Sequence, residues 1–282
     1  MFKSNTKQYE HYAHGMRGRG WGYAFLDPPS NVDAYPGVCG FINENGLWVK
    51  ICDLFNEKEL KELKFGEFST KSRELAEEQG KLGPLETNTI GRISLSAEAA
   101  AAVPGMPAKL GSVARYELQG EYGGILVCHD DVKLRRYMVK DPFRKWAKDN
   151  AKLVINKFED VKKNGGFYVI TSTREASEIR ITCWGGRGQS VVIGISSEVD
   201  GAGKLSADAQ VYVGESISGW HAPICKEGES KVPFFGGVRI DYHKLWPTTE
   251  KDESKWSGYR GDDGKFMVED DEYVYDVAIT TV

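Results

Sequence analysis

The side chains with the most chemical reach lie where they cannot act on one another. Cys128, His129 and Asp130 are consecutive. On a strand their side chains alternate between faces, so thiol and imidazole point apart and no nucleophile–base–carboxylate relay forms. The five histidines (His11, His14, His129, His221, His243) are scattered, with no HExxH or similar metal spacing. The five cysteines (Cys39, Cys52, Cys128, Cys183, Cys225) include no CxxC pair. That argues against a zinc site and a disulfide framework, and suits a reducing cytosol. The glycine-rich pieces GGRGQ (185–189) and DGAGK (200–204) lack the P-loop form. Paired carboxylates need no fixed spacing, so a hydrolase built on them stays a distant third reading. The expectation is a protein that is not an enzyme and uses no metal or cofactor.

The remaining chemistry is that of charged surfaces and amphipathic strands. Of 282 residues, 40% are hydrophobic and 28% charged, values ordinary for a globular protein with a sizeable core. The net charge of −4 is unevenly placed: residues 243–282 hold ten acids and five bases. The N-terminus has no apolar segment of a secretory signal, and no run of 18 apolar residues occurs. A meeting with a membrane must then use an amphipathic surface or a β-barrel.

Two stretches are basic. Residues 1–26 carry Lys3, Lys7, Arg17 and Arg19 against one acid, with a short helix expected over 2–14. Residues 133–163 carry eleven bases against four acids, including Lys133, Arg135, Arg136, Arg144, Lys145 and Lys148. Asp141-Pro142 reads as the cap and first position of a helix. Phe143, Trp146, Ala147, Ala151, Val154, Ile155 and Phe158 recur at helical spacing and form its apolar face. Its basic face is either simply solvated or suited to anionic partners. Each basic side chain near an acidic membrane is worth ~1 kcal/mol. No helix-turn-helix, zinc-finger or RNP motif favours nucleic acid.

Two stretches alternate with period two. From Gln189 to Gly214, Val191, Ile193, Ile195, Val199, Leu205, Val211 and Val213 share one face, and Ser190, Ser196, Glu198, Lys204 and Gln210 share the other. Asp200–Gly203 supplies a hairpin turn. Each arm has the length of a membrane-crossing strand, about 9–11 residues. The same pattern fits any half-buried antiparallel sheet. In residues 89–128, Gly91, Ile93 and Leu95 oppose Arg92, Ser94 and Ser96, and the return arm carries Tyr116 and Leu118. The connection, AAAAVPGMPAKLG, is apolar, with Val103 and Met106 at its bend. It reads either as a tip that must pass through a bilayer or as a short Ala-rich helix.

Strands are expected over Trp21–Leu26, Gly37–Ile42 and Leu47–Cys52, the last two joined by a turn at Asn43–Gly46. Asn56 with Glu59 forms a capping box, and Ser69 starts a second helix ending at Gly80. Phe167–Trp184 is one long strand, Pro233–Tyr242 a closing strand, and Tyr273–Ile279 an edge strand. The fold class is α+β, a twisted and mainly antiparallel sheet with flanking helices. Residues 1–245 form one domain, and 246–282 an acidic tail with a regulatory role.

This order of elements resembles the N-terminal pore-forming domain of gasdermins over roughly residues 1–245. The nearest local likenesses are INKFEDVKKNGGFYVITSTREASEI (155–179), IGISSEVDGAG (193–203) and FFGGVRIDY (234–242). In length the chain is most similar to fungal-type cell-death gasdermins. The resemblance implies a cytoplasmic form that binds acidic phospholipids through the basic side chains named above. It implies oligomerisation, with its own copies or with a related chain. Regions 87–127 and 167–214 would then become four membrane-crossing strands per subunit in a large β-barrel at the plasma membrane. Ile93, Leu95, Val103, Met106, Tyr116, Leu118, Val191, Ile193, Ile195, Val199, Leu205, Val211 and Val213 are the inserting residues. Two features depart from the family. Only about forty residues follow Tyr242, too few for the large repressor domain of animal gasdermins. Control is expected from the acidic tail, a partner subunit or cleavage of a short peptide. The turn Asn43–Gly46 also lacks the long apolar loop that some relatives use to grip lipid. The alternative function is a soluble β-rich module whose basic helix holds a protein or nucleic-acid partner.

Overall fold

The computed structural model describes residues 5–69, 75–104, 106–107, 110–164, 166–186, 188–196, 204–205, 210–213, 220–247, 265–270 and 272–282. In chain order the elements begin α1 (Asn5–Met16), β1 (Tyr23–Ala24), β2 (Val38–Ile42), β3 (Trp48–Asp53), α2 (Glu57–Glu62), β4 (Leu75–Leu82) and β5 (Leu85–Glu86). Then come β6 (Ile90–Ser94), α3 (Ala97–Ala101), β7 (Ser112–Leu118), β8 (Tyr122–Cys128), β9 (Val132–Tyr137), α4 (Asp141–Lys157) and α5 (Glu159–Asn164). The last are β10 (Gly166–Ala176), β11 (Ile179–Gly185), β12 (Ser190–Ile195), β13 (Lys204–Leu205), β14 (Val211–Val213), β15 (Lys231–Pro247), β16 (Lys265–Glu269) and β17 (Tyr273–Thr281). The class is α+β with mostly antiparallel sheet. The chain divides into two compact units, Met1–Val32 with Glu77–Arg135 and Arg174–Phe234, and Asp33–Ala76 with Arg136–Thr173 and Phe235–Val282.

The second unit is built on α4. Phe143, Trp146, Ala147, Ala151, Val154 and Ile155 are all buried, in one cluster with Val169, Val238, Ile240 and Val277. The helical period of the sequence is thus used to cover a sheet. Asp141 is the first helical residue and Lys140 the cap, with no side-chain cap bond. Asp141 therefore acts as an acid in the first turn, where the helix dipole favours negative charge, and not as the cap. Asn56 caps α2 as expected, accepting from the Glu59 amide at 3.3 Å and donating to its carboxylate at 2.8 Å. The turn Asn43–Gly46 joins β2 to β3, with Gly46 at φ 77°, a conformation that suits glycine.

Residues 265–281 correct the expectation of an edge strand. β17 lies between β15 and β16, in register Val238↔Thr281 on one side and Phe266↔Val277 on the other. The stretch set apart as an acidic tail therefore supplies core residues: Val274 and Val277 have no exposed surface. Asp270, between the two strands, meets Lys162 Nζ at 2.6 Å and accepts from the amides of Glu272 and Tyr273 and from the Tyr275 hydroxyl. Burial raises its carboxyl, but these donors outweigh it and hold the pKa at about 2, below the ordinary 3.8. A depressed carboxylate stabilises the fold above the unfolded-chain value and loses that effect as pH falls through its folded value. Asp270→Asn is expected to cost on the order of 2 kcal/mol at neutral pH, with the difference from the parent shrinking between pH 4 and pH 2. Denaturant melts across that range measure it. A constant difference would remove the ionised carboxylate as the cause.

Three further predicted elements change. The helix expected from Ser69 to Gly80 is, from Leu75 on, strand β4. Glu77 on β4 pairs with Lys133 at 2.9 Å and Arg135 at 3.1 Å on β9, so cross-strand partners override the helix-forming composition of LAEEQG. The long strand Phe167–Trp184 is two strands, broken at Ser177-Glu178. There the Ser177 amide donates to Asp130 and the Glu178 carbonyl accepts from the His129 amide, both at 2.8 Å. β11 turns away to pair along β8, from Ile179↔Cys128 to Gly185↔Tyr122. The strand expected over Trp21–Leu26 shrinks to Tyr23–Ala24.

Candidate functional site

The two amphipathic stretches, some seventy residues apart in sequence, form one antiparallel sheet in the order β14-β12-β7-β6. The join is made by β12 and β7, paired from Ser190↔Glu117 to Ile195↔Ser112. Outside them, β6 pairs with β7 and β14 with β12. Register places Ala114, Tyr116, Leu118, Val191, Ile193, Ile195, Val211 and Val213 on one face. Val191, Ile193, Tyr116, Leu118 and Val211 are buried there against Ile125, Val127 and Trp184 of β8 and β11. Alternation in the sequence thus corresponds to a real apolar face, now packed away from water.

That burial changes how the inserting residues can be tested. Ile193 and Ile195 are 1% and 2% exposed, so an aspartate at either site buries an unpaired charge and breaks the fold. β6 differs more sharply from expectation. Ile93 faces Arg115 across the ladder and is 49% exposed, while Arg92 faces Tyr116, its guanidinium 5.8 Å from the ring. In this register Arg92 and Ser94, not Ile93, share the apolar face of β7, because a period-two strand inverts its faces with a one-residue shift.

The apolar connection is not a free tip. Ser96 caps the short helix α3, accepting from the Ala99 amide. Ala100 is buried with Val113 and Val192 on the second face of the sheet, and Leu95, Val103, Met106 and Leu110 pack around them. Gly194 permits this: a Cβ there would lie 2.5 Å from Leu110 and 3.0 Å from Met106. The Ala-rich helix and the apolar link are therefore one device, a cover folded back over its own hairpin. Nothing in the alternation of the sequence marks Gly194 for this close approach.

Of the strands described between Gln189 and Gly214, β12 and β14 pair with each other. β12 has six residues and β14 three. The turn Asp200–Gly203 and Val199 lie outside the described residues. Leu205 belongs to β13, which pairs with β4 through Lys204↔Leu82 and Leu205↔Lys81, not with β12. Backbone hydrogen bonds offered by β4 capture this segment, so it is not part of the expected arm.

The basic residues separate into engaged and exposed sets. Arg19 pairs with Glu86 at 2.9 Å, and Arg135 meets Glu175 at 3.6 Å as well as Glu77. Lys133 is held by Glu77, and Arg136 is half-buried. Arg17, Arg144, Lys145 and Lys148 are exposed. Arg144 also donates to Thr281, and the Lys148 ammonium sits 5.6 Å from the Phe266 ring. Lys7 lies on α1, while Lys3 lies outside the described residues. Three of the four exposed cations are thus on the first half of α4.

The Cys128–Asp130 stretch offers no relay. Cys128 is buried, which raises its thiol to about 12, and burial lowers the His129 imidazole from its ordinary value. Asp130 is occupied at the Ser177 amide. Among the described residues no cluster of three metal-ligating side chains occurs, and no described helix is long and apolar enough to cross a membrane. No protein-family model matches the chain, and no curated protein matches it.

Proposed function

We propose that this protein is a pore-forming protein of the gasdermin type, which binds acidic phospholipid, oligomerises and permeabilises a membrane to cause lytic cell death. One observation carries the reading: two amphipathic stretches distant in sequence lie side by side as four antiparallel strands, three of which, β7, β12 and β14, share an apolar face. A single hairpin cannot cross a bilayer, because its edge groups stay unpaired. Four strands per subunit, closed into a ring by many subunits, leave no edge. In that ring Tyr116, Leu118, Val191, Ile193, Val211 and Val213 exchange their packing on β8 and β11 for lipid tails, Ile195 joins them, and Arg115 and Glu117 face a wet lumen. Lengthening to about 9–11 residues per strand draws on residues 95–111 and 196–210, including α3 and β13. Leu95, Val103 and Met106 leave the cover in that step, and Leu205 leaves β4. The exposed cations of α4 hold the headgroups. The protein waits in the cytoplasm and assembles at the plasma membrane, with itself or a related chain.

Insertion in this scheme requires β6 to slip one residue on β7, so that Ile93 joins the apolar face and Arg92 the lumen. Dye release from vesicles with and without acidic lipid tests both parts. Leakage is expected only with acidic lipid. Ile93→Asp is expected to keep the parent melting curve, since the site is half exposed, and to lose at least about 90% of the leakage, because a charge on the lipid face of a membrane strand is destabilising. Full leakage by Ile93→Asp would refute the slip. No leakage by the parent chain from any vesicle would count against pore formation itself.

A further inference from the structure

The link from β9 to α4 is the unexplained surface of the second unit. Tyr137 ends the strand and Phe143 sits in the first turn of the helix, their rings 5.2 Å apart, with Phe55 against Tyr137 at 5.7 Å. These aromatics pin the chain on either side of the link. Met138 and Val139 between them are left 67% and 48% exposed. Among the described residues they are the only neighbouring pair of large apolar side chains so exposed. Surface links are normally polar, since an exposed apolar pair gains nothing from water. Single exposed apolar residues are ordinary, but an adjacent pair held out by its own flanks asks for a partner.

The surrounding charge indicates which partner. Between Met138 and Lys148 the sequence places Lys140, Arg144, Lys145 and Lys148 against one acid, Asp141. Arg144, Lys145 and Lys148 are exposed. Lys145 makes no hydrogen bond or ion pair with any described residue. An apolar tip beside cations matches the layering of an anionic bilayer, with acyl chain below and phosphate at the level of the basic groups. Methionine suits such a boundary because its unbranched thioether adapts to an irregular surface. Lysine and arginine stems extend toward headgroups while their own methylenes stay in apolar contact.

We infer that Met138 and Val139 form a membrane anchor that enters the outer part of an acidic bilayer, with Arg144 and Lys145 on the headgroups beside it. This rests on the pore-forming reading and deepens it. It assigns the first grip on lipid to the β9–α4 link, and the turn Asn43–Gly46, with polar residues at its tip, has no part in it. The anchor supplies the salt-insensitive share of binding and the cations the salt-sensitive share.

Sedimentation of the full chain with phosphatidylcholine vesicles, with and without phosphatidylserine, tests it at low and physiological salt. The parent is expected to bind the vesicles that contain phosphatidylserine. Replacing the pair (Met138→Ser with Val139→Ser) is expected to weaken that binding at least about tenfold at both salt levels, the effect of removing two partly buried apolar side chains. Met138→Leu with Val139→Leu is expected to keep it. Arg144→Gln with Lys145→Gln is expected to lose affinity mainly at low salt. Melting curves should stay close to the parent, since Met138, Arg144 and Lys145 are exposed and Val139 half exposed, and the one bond lost is the exposed one from Arg144 to Thr281. Parent-like binding by the serine pair overturns the anchor and leaves the pore-forming reading standing. Failure of the parent to bind any vesicle counts against that reading, and the anchor falls with it. A serine pair that changes self-association without lipid, and not vesicle binding, would overturn the anchor and make this surface a contact between copies.

Discussion

Shortening the chain after Pro247 is expected to abolish the cooperative melting of the second unit. The segment removed contains β16 and β17, whose Val274 and Val277 are fully buried and whose Val268 and Tyr275 are 7% and 6% exposed. Val268, Tyr275 and Val277 lie in one cluster with Phe143 and Val154 of α4 and with Val238 and Ile240 of β15. Each buried side chain of this size contributes roughly 1.5–3 kcal/mol, and a whole domain is stable by only about 5–15 kcal/mol. Loss of the β17 ladder, nine residues long, adds unpaired backbone along β15. A tail that merely masked basic charge would behave in the opposite way: its removal would leave the fold intact and strengthen vesicle binding. Calorimetry and limited proteolysis of the truncated chain separate the two. A cooperative melt near that of the full chain would show that β16 and β17 are dispensable. Val277→Ala is a milder companion, expected to cost about 1–3 kcal/mol while the unit still folds.

Tying β13 to β4 is expected to stop membrane leakage without disturbing the fold. Lys204 and Leu82 are direct partners in an antiparallel pair. Such partners have Cα atoms about 4.5–5.5 Å apart, within the roughly 4.4–6.8 Å that a disulfide spans. With Lys204→Cys and Leu82→Cys oxidised, Lys204 and Leu205 cannot leave β4, and the segment that holds them cannot lengthen β12 and β14. Leakage from acidic vesicles is expected to fall at least about tenfold, and reduction should restore it. Vesicle binding should persist, because α4 and the β9–α4 link are untouched. Single-cysteine variants control for Cys183 and Cys225, the native thiols that are only half-buried. Undiminished leakage from the fully cross-linked protein would mean that β13 stays on β4 in the pore, and that the strands there are built from other residues.

What the sequence determined by itself is what local pattern can encode. The apolar face of α4 follows from helical spacing, and each of its central residues is buried. The Asn56 box follows from side chains that reach only their own turn. The apolar face of β7 and β12 follows from period two. The engaged state of Arg19, Lys133 and Arg135 was not legible, because Glu86, Glu77 and Glu175 are distant in sequence and nothing local marks them as partners. That β4 is a strand, that β6 shows Arg92 to the apolar face, and that β17 is flanked on both sides emerge only in the assembled sheets. Each of these depends on which strand lies next to which, and pairing is chosen by the whole sheet. The same packing leaves Met138 and Val139 exposed: Tyr137 and Phe143 pack against each other on either side of the short link that holds them.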